Sequence, residues 1–168
     1  DIITSFVATR TLSCRILDNG DYVYEKVELP EAIKIFVVIN DEYVQTSEMV
    51  DRYKTAKSKY RDYFSQHAPK MKVELELLYD SILQKDNKSI FQYLGRYNDL
   101  LIDMDNLFNL GIFNNHHELV ELAKDKDIFY KPSGSGGGDI GLFISDDRKK
   151  LNSICENLEL KGITFFEI

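Results

Sequence analysis

The sequence predicts an α+β fold, a ferredoxin-like split βαβ sheet with extra helices in its first crossover. Three observations predict it. From Ile33 onward the patterning runs strand, several helices, strand, strand, helix, strand. Ile33 to Ile39, broken only by Lys34, is an apolar run of strand length, as expected for a central strand buried on both faces. Leu94, Tyr97, Leu101, Met104 and Phe108 recur at alternating steps of three and four, which makes one apolar helical stripe inside the crossover.

Each element has a local reason. Residues 11 to 17 and 22 to 29 carry β-favouring residues on either side of Asp18-Asn19-Gly20-Asp21, whose Asn-Gly pair marks a hairpin. Pro30 closes it. This hairpin stands outside the split βαβ count and needs another partner to hide its edges. Thr46 and Ser47, with Glu48 following, suit a helix start, because hydroxyls accept unpaired backbone N–H groups and the carboxylate meets the positive dipole end. That helix is expected to reach about Gln66, and Pro69 to start a second one ending near Gln84. The striped helix ends at Gly111, and a short fourth runs from Asn115 to Lys124. Ile128-Phe129-Tyr130 reads as a strand, Lys131 to Asp139 as a glycine-rich turn, and Ile140 to Ser145 as another strand. Asp146 and Asp147 occupy N-cap and first-turn positions, Leu151, Ile154 and Leu158 share a face, Gly162 stops the helix, and Ile163 to Ile168 is the last strand.

Composition bounds the function. A chain of 168 residues, 43% of them hydrophobic, can build a core without disulfides or structural metal. The 21 basic and 28 acidic side chains leave a net charge of -7, which offers no footprint for a nucleic-acid backbone or an anionic membrane. Neither is an expected partner. Cys14 and Cys155 share no C-x-x-C spacing, so neither a zinc site nor a redox pair is expected, and a reducing cytoplasmic setting fits. No apolar run approaches the roughly 18 residues of a membrane span. Asp1 stands where an initiator Met would be and leads into Ile2, Ile3, Phe6 and Val7, so the expectation is a chain that begins inside a longer polypeptide.

One segment carries a chemical signal: Lys131-Pro132-Ser133-Gly134-Ser135-Gly136-Gly137-Gly138-Asp139-Ile140-Gly141. Four of the nine glycines fall between positions 134 and 138. Without Cβ atoms, the backbone can turn its N–H groups inward around an anion, and Ser133 and Ser135 add hydroxyl donors. A flexible Gly/Ser linker has the same composition, but here an apolar strand lies directly on each side, as in a hairpin loop. No G-x-x-x-x-G-K-[ST] occurs. Gly136, Gly138 and Gly141 satisfy G-x-G-x-x-G formally, yet a strand follows where a dinucleotide site needs a helix N-terminus.

The other polar clusters have plainer readings. His116, His117 and Glu118 are adjacent, and neighbouring helix positions point about 100° apart, so an exposed helix start is expected there and no metal site. Lys54, Lys57, Lys59 and Arg61 are interleaved with Glu48, Asp51 and Asp62, as on a solvated face, and Arg148, Lys149 and Lys150 follow two aspartates. Lys131 adjoins the glycine tract, where a cation would offset phosphate charge; a surface strand end is the alternative.

The tract from Lys131 to Asp139, followed by Ile140-Gly141, is similar to the third conserved motif of the GHMP small-molecule kinases, in the form found in the phosphomevalonate kinase branch, with Ser135 replacing the usual Ala. Asp1-Ile2-Ile3 resembles the segment after that family's Gly-Asp catalytic site, and Thr46-Ser47 the Thr-Ser that opens its helical insertion. The resemblance implies a GHMP kinase C-terminal domain over residues 31–168, with residues 1–30 belonging to a missing N-terminal domain. It implies an ATP- and Mg²⁺-dependent phosphotransferase acting on an isoprenoid-precursor phosphate. Ser133, Gly134, Ser135, Gly136, Gly137 and Gly138 would line the phosphate region. Asp139 would hold the loop by accepting backbone N–H bonds, because a carboxylate repels phosphate. Asp1 would orient or deprotonate the small-molecule phosphate acceptor, although the glycines that normally precede that aspartate are absent.

The family's Pro-x-x-x-Gly-Leu-Gly-Ser-Ser nucleotide loop occurs nowhere in the sequence, so the chain alone is expected to be inactive. Mevalonate kinase, or another sugar or alcohol kinase of the family, is the nearest enzymatic alternative. A non-catalytic ferredoxin-like module that binds a small ligand or a partner is the alternative from another class.

Overall fold

The computed structural model describes residues 12–16, 21–39, 44–134, 136–138 and 140–168. Strands β1 (Leu12–Ile16) and β2 (Tyr22–Lys26) pair antiparallel, from Leu12 opposite Lys26 to Ile16 opposite Tyr22, in a sheet of their own. The Asn-Gly turn expected between them lies outside the described residues. The hairpin reaches the helical region through the Tyr79 hydroxyl, which donates to Glu25 Oε2 at 2.8 Å.

Strands β3 (Lys34–Ile39), β4 (Phe129–Pro132), β5 (Ile140–Ser145) and β6 (Thr164–Glu167) form the main sheet in the order β4-β5-β3-β6. The pairs β3·β5, β3·β6 and β4·β5 are all antiparallel. This is the split βαβ order expected from the patterning, with β3 inside the sheet.

Period-2 alternation divides the sheet between two apolar layers. Phe36, Val38, Tyr130 and Phe143 face Leu119 and Ala123 of α4 (His117–Asp125) and Leu151, Ile154 and Leu158 of α5 (Arg148–Leu160). Ile33, Ile35, Phe129, Leu142 and Ile144 face Leu78 and Ile82 of α2 (Arg61–Leu83) and Ile90, Phe91 and Leu94 of α3 (Asn87–Phe108). The inserted helices therefore cover the second face, which is why β3 is apolar at every position from Ile35 to Ile39. Fully burying a side chain such as Leu151, Ile154 or Leu158 contributes about 1.5–3 kcal/mol each relative to exposure.

The helix termini follow sequence chemistry in part. Asp147 caps α5 by accepting from Lys149 N at 2.8 Å, and Gly162 ends that helix at φ 69°. At α1 (Thr46–Lys59) the N-cap is Gln45 and no side chain caps it, so neither Thr46 nor Ser47 fills the capping role expected of it. Helix α3 ends at Asn109, which takes the left-handed conformation two residues before the expected Gly111. The break between the first two helices falls at Tyr60, and Pro69 lies inside α2. Tertiary packing decides this. Phe108 gathers Tyr60, Tyr63 and Phe64 at ring distances of 4.8, 4.9 and 5.3 Å, which needs the chain to turn just before Arg61. Pro69 is exposed and α2 packs along α3, so one lost intrahelical bond is tolerated. Among the described residues no helix is long and apolar enough to cross a membrane.

Candidate functional site

The glycine-rich tract is the closed end of the β4–β5 hairpin. Pro132 pairs with Gly141, and Ser133 N donates to Ile140 O at 2.9 Å, so the two strands are bonded up to the loop. Gly136, Gly137 and Gly138 are buried, whereas Gly134 is exposed. A tether between independent units would not pack this way.

What buries the loop is the segment between α3 and α4. Gly137 N donates to Ile112 O at 2.7 Å, and Asn115 Nδ2 donates to Gly137 O at 3.3 Å. The backbones touch. A Cβ on Gly136 would lie 2.8–2.9 Å from Ile112 atoms, and one on Gly137 would lie 3.0 Å from Gly111 O and 3.1 Å from Met49 Sδ. Both residues also adopt φ near +80°, a conformation that costs side-chain-bearing residues about 1–2 kcal/mol.

The segment opposite is shaped by Asp105. Its Oδ1 accepts from Gly111 N at 2.6 Å and Ile112 N at 3.0 Å, and its Oδ2 accepts from Phe113 N at 2.9 Å. A carboxylate can be buried here because its charge meets three donors.

Between the first turns of α1, this segment and the glycine loop lies a cleft of about 280 Å³. Gln45, Glu48, Arg52, Gly111, Asn115 and Gly137 are among its lining residues. Arg52 Nη1 donates to Leu110 O at 3.3 Å and its Nη2 to Glu48 Oε1 at 2.5 Å. The cleft thus joins a guanidinium, the positive end of α1 and amide side chains, a set able to receive an anionic or hydroxylated small molecule.

The expected site residues are distributed unevenly around it. Gly137 lines the cleft, while Ser133, Gly134, Gly136 and Gly138 stand in the same loop outside the lining. The amide of Gly137 is committed to Ile112 and that of Gly136 turns back to Ser133 O at 3.4 Å, so these two are held by protein acceptors. Lys131 is half-buried in β4 and lies outside the cleft lining; burial pushes its pKa down. Asp1, Ser135 and Asp139 lie outside the described residues.

His116 corrects an expectation. It is fully buried, with Nδ1 2.7 Å from the Tyr130 hydroxyl, while His117 and Glu118 are exposed as expected of this helix start. Among the described residues no cluster of His, Cys, Asp and Glu could hold a metal ion. Sequence reasoning passed over Arg52 and Asp105. Asp105 carried a signal, since it lies four residues after Leu101 and so sits on the apolar stripe of α3.

No family model and no curated protein matches the sequence. Solved structures do match its fold. A Lin0012 protein from Listeria innocua superimposes with a TM-score of 0.78 at 19% identity, over 86% of this chain and 41% of that one. Mevalonate kinase of L. major in complex with R-mevalonate gives 0.74 at 15% identity, over 92% of this chain and 48% of that one. Streptococcus pneumoniae phosphomevalonate kinase in complex with phosphomevalonate and AMPPNP gives 0.65 at 22% identity, over 90% of this chain and 44% of that one. The chain therefore spans less than half the length of these structures. Its fold is one found within mevalonate and phosphomevalonate kinases, as the resemblance implied.

Proposed function

We propose that this chain is the C-terminal part of an ATP-dependent small-molecule kinase of the GHMP type, with a phosphorylated isoprenoid precursor as acceptor. The observation that carries the reading is the placement of Gly137: at the closed end of the β4–β5 hairpin, it is anchored to Ile112 O in the wall of a cleft that also contains Arg52. The fold shared with phosphomevalonate kinase supports it, and so does the resemblance of the Lys131 to Asp139 tract to the third motif of the GHMP kinases.

When bound, Mg-ATP supplies a γ-phosphoryl group that passes to an acceptor oxygen as the bond to ADP breaks. The residues of this chain contribute position and charge. The glycine loop presents a wall whose place is set by the bond from the Gly137 amide to Ile112 O. Arg52 supplies a cation whose fork geometry suits a phosphate or carboxylate, and the start of α1 adds its positive dipole end. Asp1 would orient the acceptor oxygen or take its proton, and Asp139 would brace the loop. The main nucleotide loop, and the donors that complete the phosphate site, would come from the N-terminal half, so this chain alone would be inactive.

Mevalonate is the second acceptor considered, because L. major mevalonate kinase superimposes with the higher TM-score of 0.74. Measuring ATP turnover by the protein that carries this chain, with mevalonate and phosphomevalonate side by side, tests both. Turnover with phosphomevalonate is expected. Turnover with mevalonate alone would move the assignment, and turnover with neither would end it.

A further inference from the structure

The loop that this reading makes functional is not held by its own strands alone. Gly137 hangs on the Ile112 carbonyl at 2.7 Å, and Gly136 is pressed against Ile112 so closely that a methyl group would not fit. Ile112 is in turn the middle of the three consecutive residues whose N–H groups converge on Asp105, at 2.6, 3.0 and 2.9 Å. When an amide donates to a carboxylate, its peptide plane is oriented, and the adjoining carbonyl is aimed with it. The amides of Ile112 and Phe113 flank the Ile112 carbonyl, so Asp105 aims the one acceptor on which Gly137 hangs.

We propose that Asp105 is the positioning residue of the glycine loop, setting the place of Gly137 in the cleft wall through the backbone of Gly111, Ile112 and Phe113. It touches no ligand. The chemistry favours aspartate over its isostere. An asparagine can still accept from two of the three amides, but its NH₂ would face the third donor. Arg52 supports the same segment from the other side through Leu110 O, and a second, weaker tie runs from Asn115 to Gly137 O.

The role in catalysis rests on the phosphotransferase reading, whereas the positioning itself does not, and the test separates them. The protein carrying this chain is compared as wild type, Asp105→Asn, and Ile90→Val. Ile90 is buried against Ile33 and Ile144, away from the loop, and serves as a control for general destabilisation. Hydrogen exchange at the Gly137 amide is read first, under conditions where all three are folded. Asp105→Asn is expected to speed it about tenfold or more relative to Ile90→Val at the same margin below the thermal midpoint. Kinetics are read second. A displacement of about 1 Å can cost on the order of 100-fold, so kcat is expected to fall between about tenfold and 100-fold, with acceptor KM changed less than about threefold. Asp105→Glu, which keeps the charge, is expected to recover part of both. Gly137 exchange that matches the Ile90→Val control overturns the proposal whatever the kinetics. Faster Gly137 exchange in Asp105→Asn than in Ile90→Val, with a wild-type protein that transfers no phosphate, leaves the positioning standing and removes the kinase reading.

Discussion

The Tyr130 hydroxyl lies 2.7 Å from His116 Nδ1 inside the core, at the base of the glycine hairpin. Gly141, across the β4–β5 pair, makes room for it: a Cβ there would sit 1.9 Å from the Tyr130 oxygen. The strand that leads into the loop, the strand that leaves it and the residue preceding α4 are locked together by one phenol. Gly141→Ala is therefore expected to displace the ring, break its bond to His116 and destabilise the fold. Overpacking costs about 1–3 kcal/mol and a stranded buried hydroxyl about 1–3 kcal/mol, so a loss of at least about 2 kcal/mol is expected in urea unfolding.

Burial holds the Tyr130 phenol neutral and pushes its pKa well above the ordinary 10.0. Its folded-state pKa exceeds its unfolded one, so its contribution is complete below pH 10 and is lost as pH rises further, when the unfolded phenol ionises and the folded one does not. Tyr97 shifts in the same direction for the same reason. The stability advantage of wild type over Tyr130→Phe is expected to be constant from pH 7 to 9 and to shrink above pH 10. An advantage that grows above pH 10 would contradict a buried, neutral phenol.

The glycines of the loop differ in what they permit. Gly136→Ala meets Ile112 at 2.8 Å and also strains φ, whereas Gly134→Ala meets nothing within 4 Å and pays only the φ term. The expected costs are about 2–4 kcal/mol for the first and about 1–2 kcal/mol for the second. Chemical denaturation of the two variants checks the order.

Arg52 is exposed enough that its pairing with Glu48 contributes little stability, at most about 1 kcal/mol. Its value lies in the cleft. Arg52→Met is expected to leave the unfolding midpoint nearly unchanged and to raise acceptor KM about tenfold or more in ATP-turnover assays. Lys54→Met, on the same helix but outside the cleft lining, is expected to do neither.

Much of this architecture was legible because local chemistry and tertiary packing agree. Ile33 to Ile39 is apolar at every position but Lys34, a run that suits a strand sandwiched between helical layers. Asp147 and Gly162 bound α5 as their backbone preferences dictate. The errors fall where distant residues decide. Tyr60 breaks the helix because Phe108, far along the chain, collects its ring together with those of Tyr63 and Phe64. His116 is buried because Tyr130 waits for it on β4. The glycine loop was visible as an unusual tract, but its anchor was not, since a lone aspartate on an apolar stripe does not reveal which amides it will meet.

Phosphotransfer by this protein requires the β4–β5 loop to meet phosphate. Amide chemical shifts of the protein carrying this chain, followed by NMR as phosphomevalonate and a non-hydrolysable ATP analogue are added, read this directly. Saturable shifts concentrated at Gly134, Gly136, Gly137 and Gly138, with Gly95 and Gly162 unmoved, are the predicted result. Saturation of ligand elsewhere with those four resonances unchanged would contradict it.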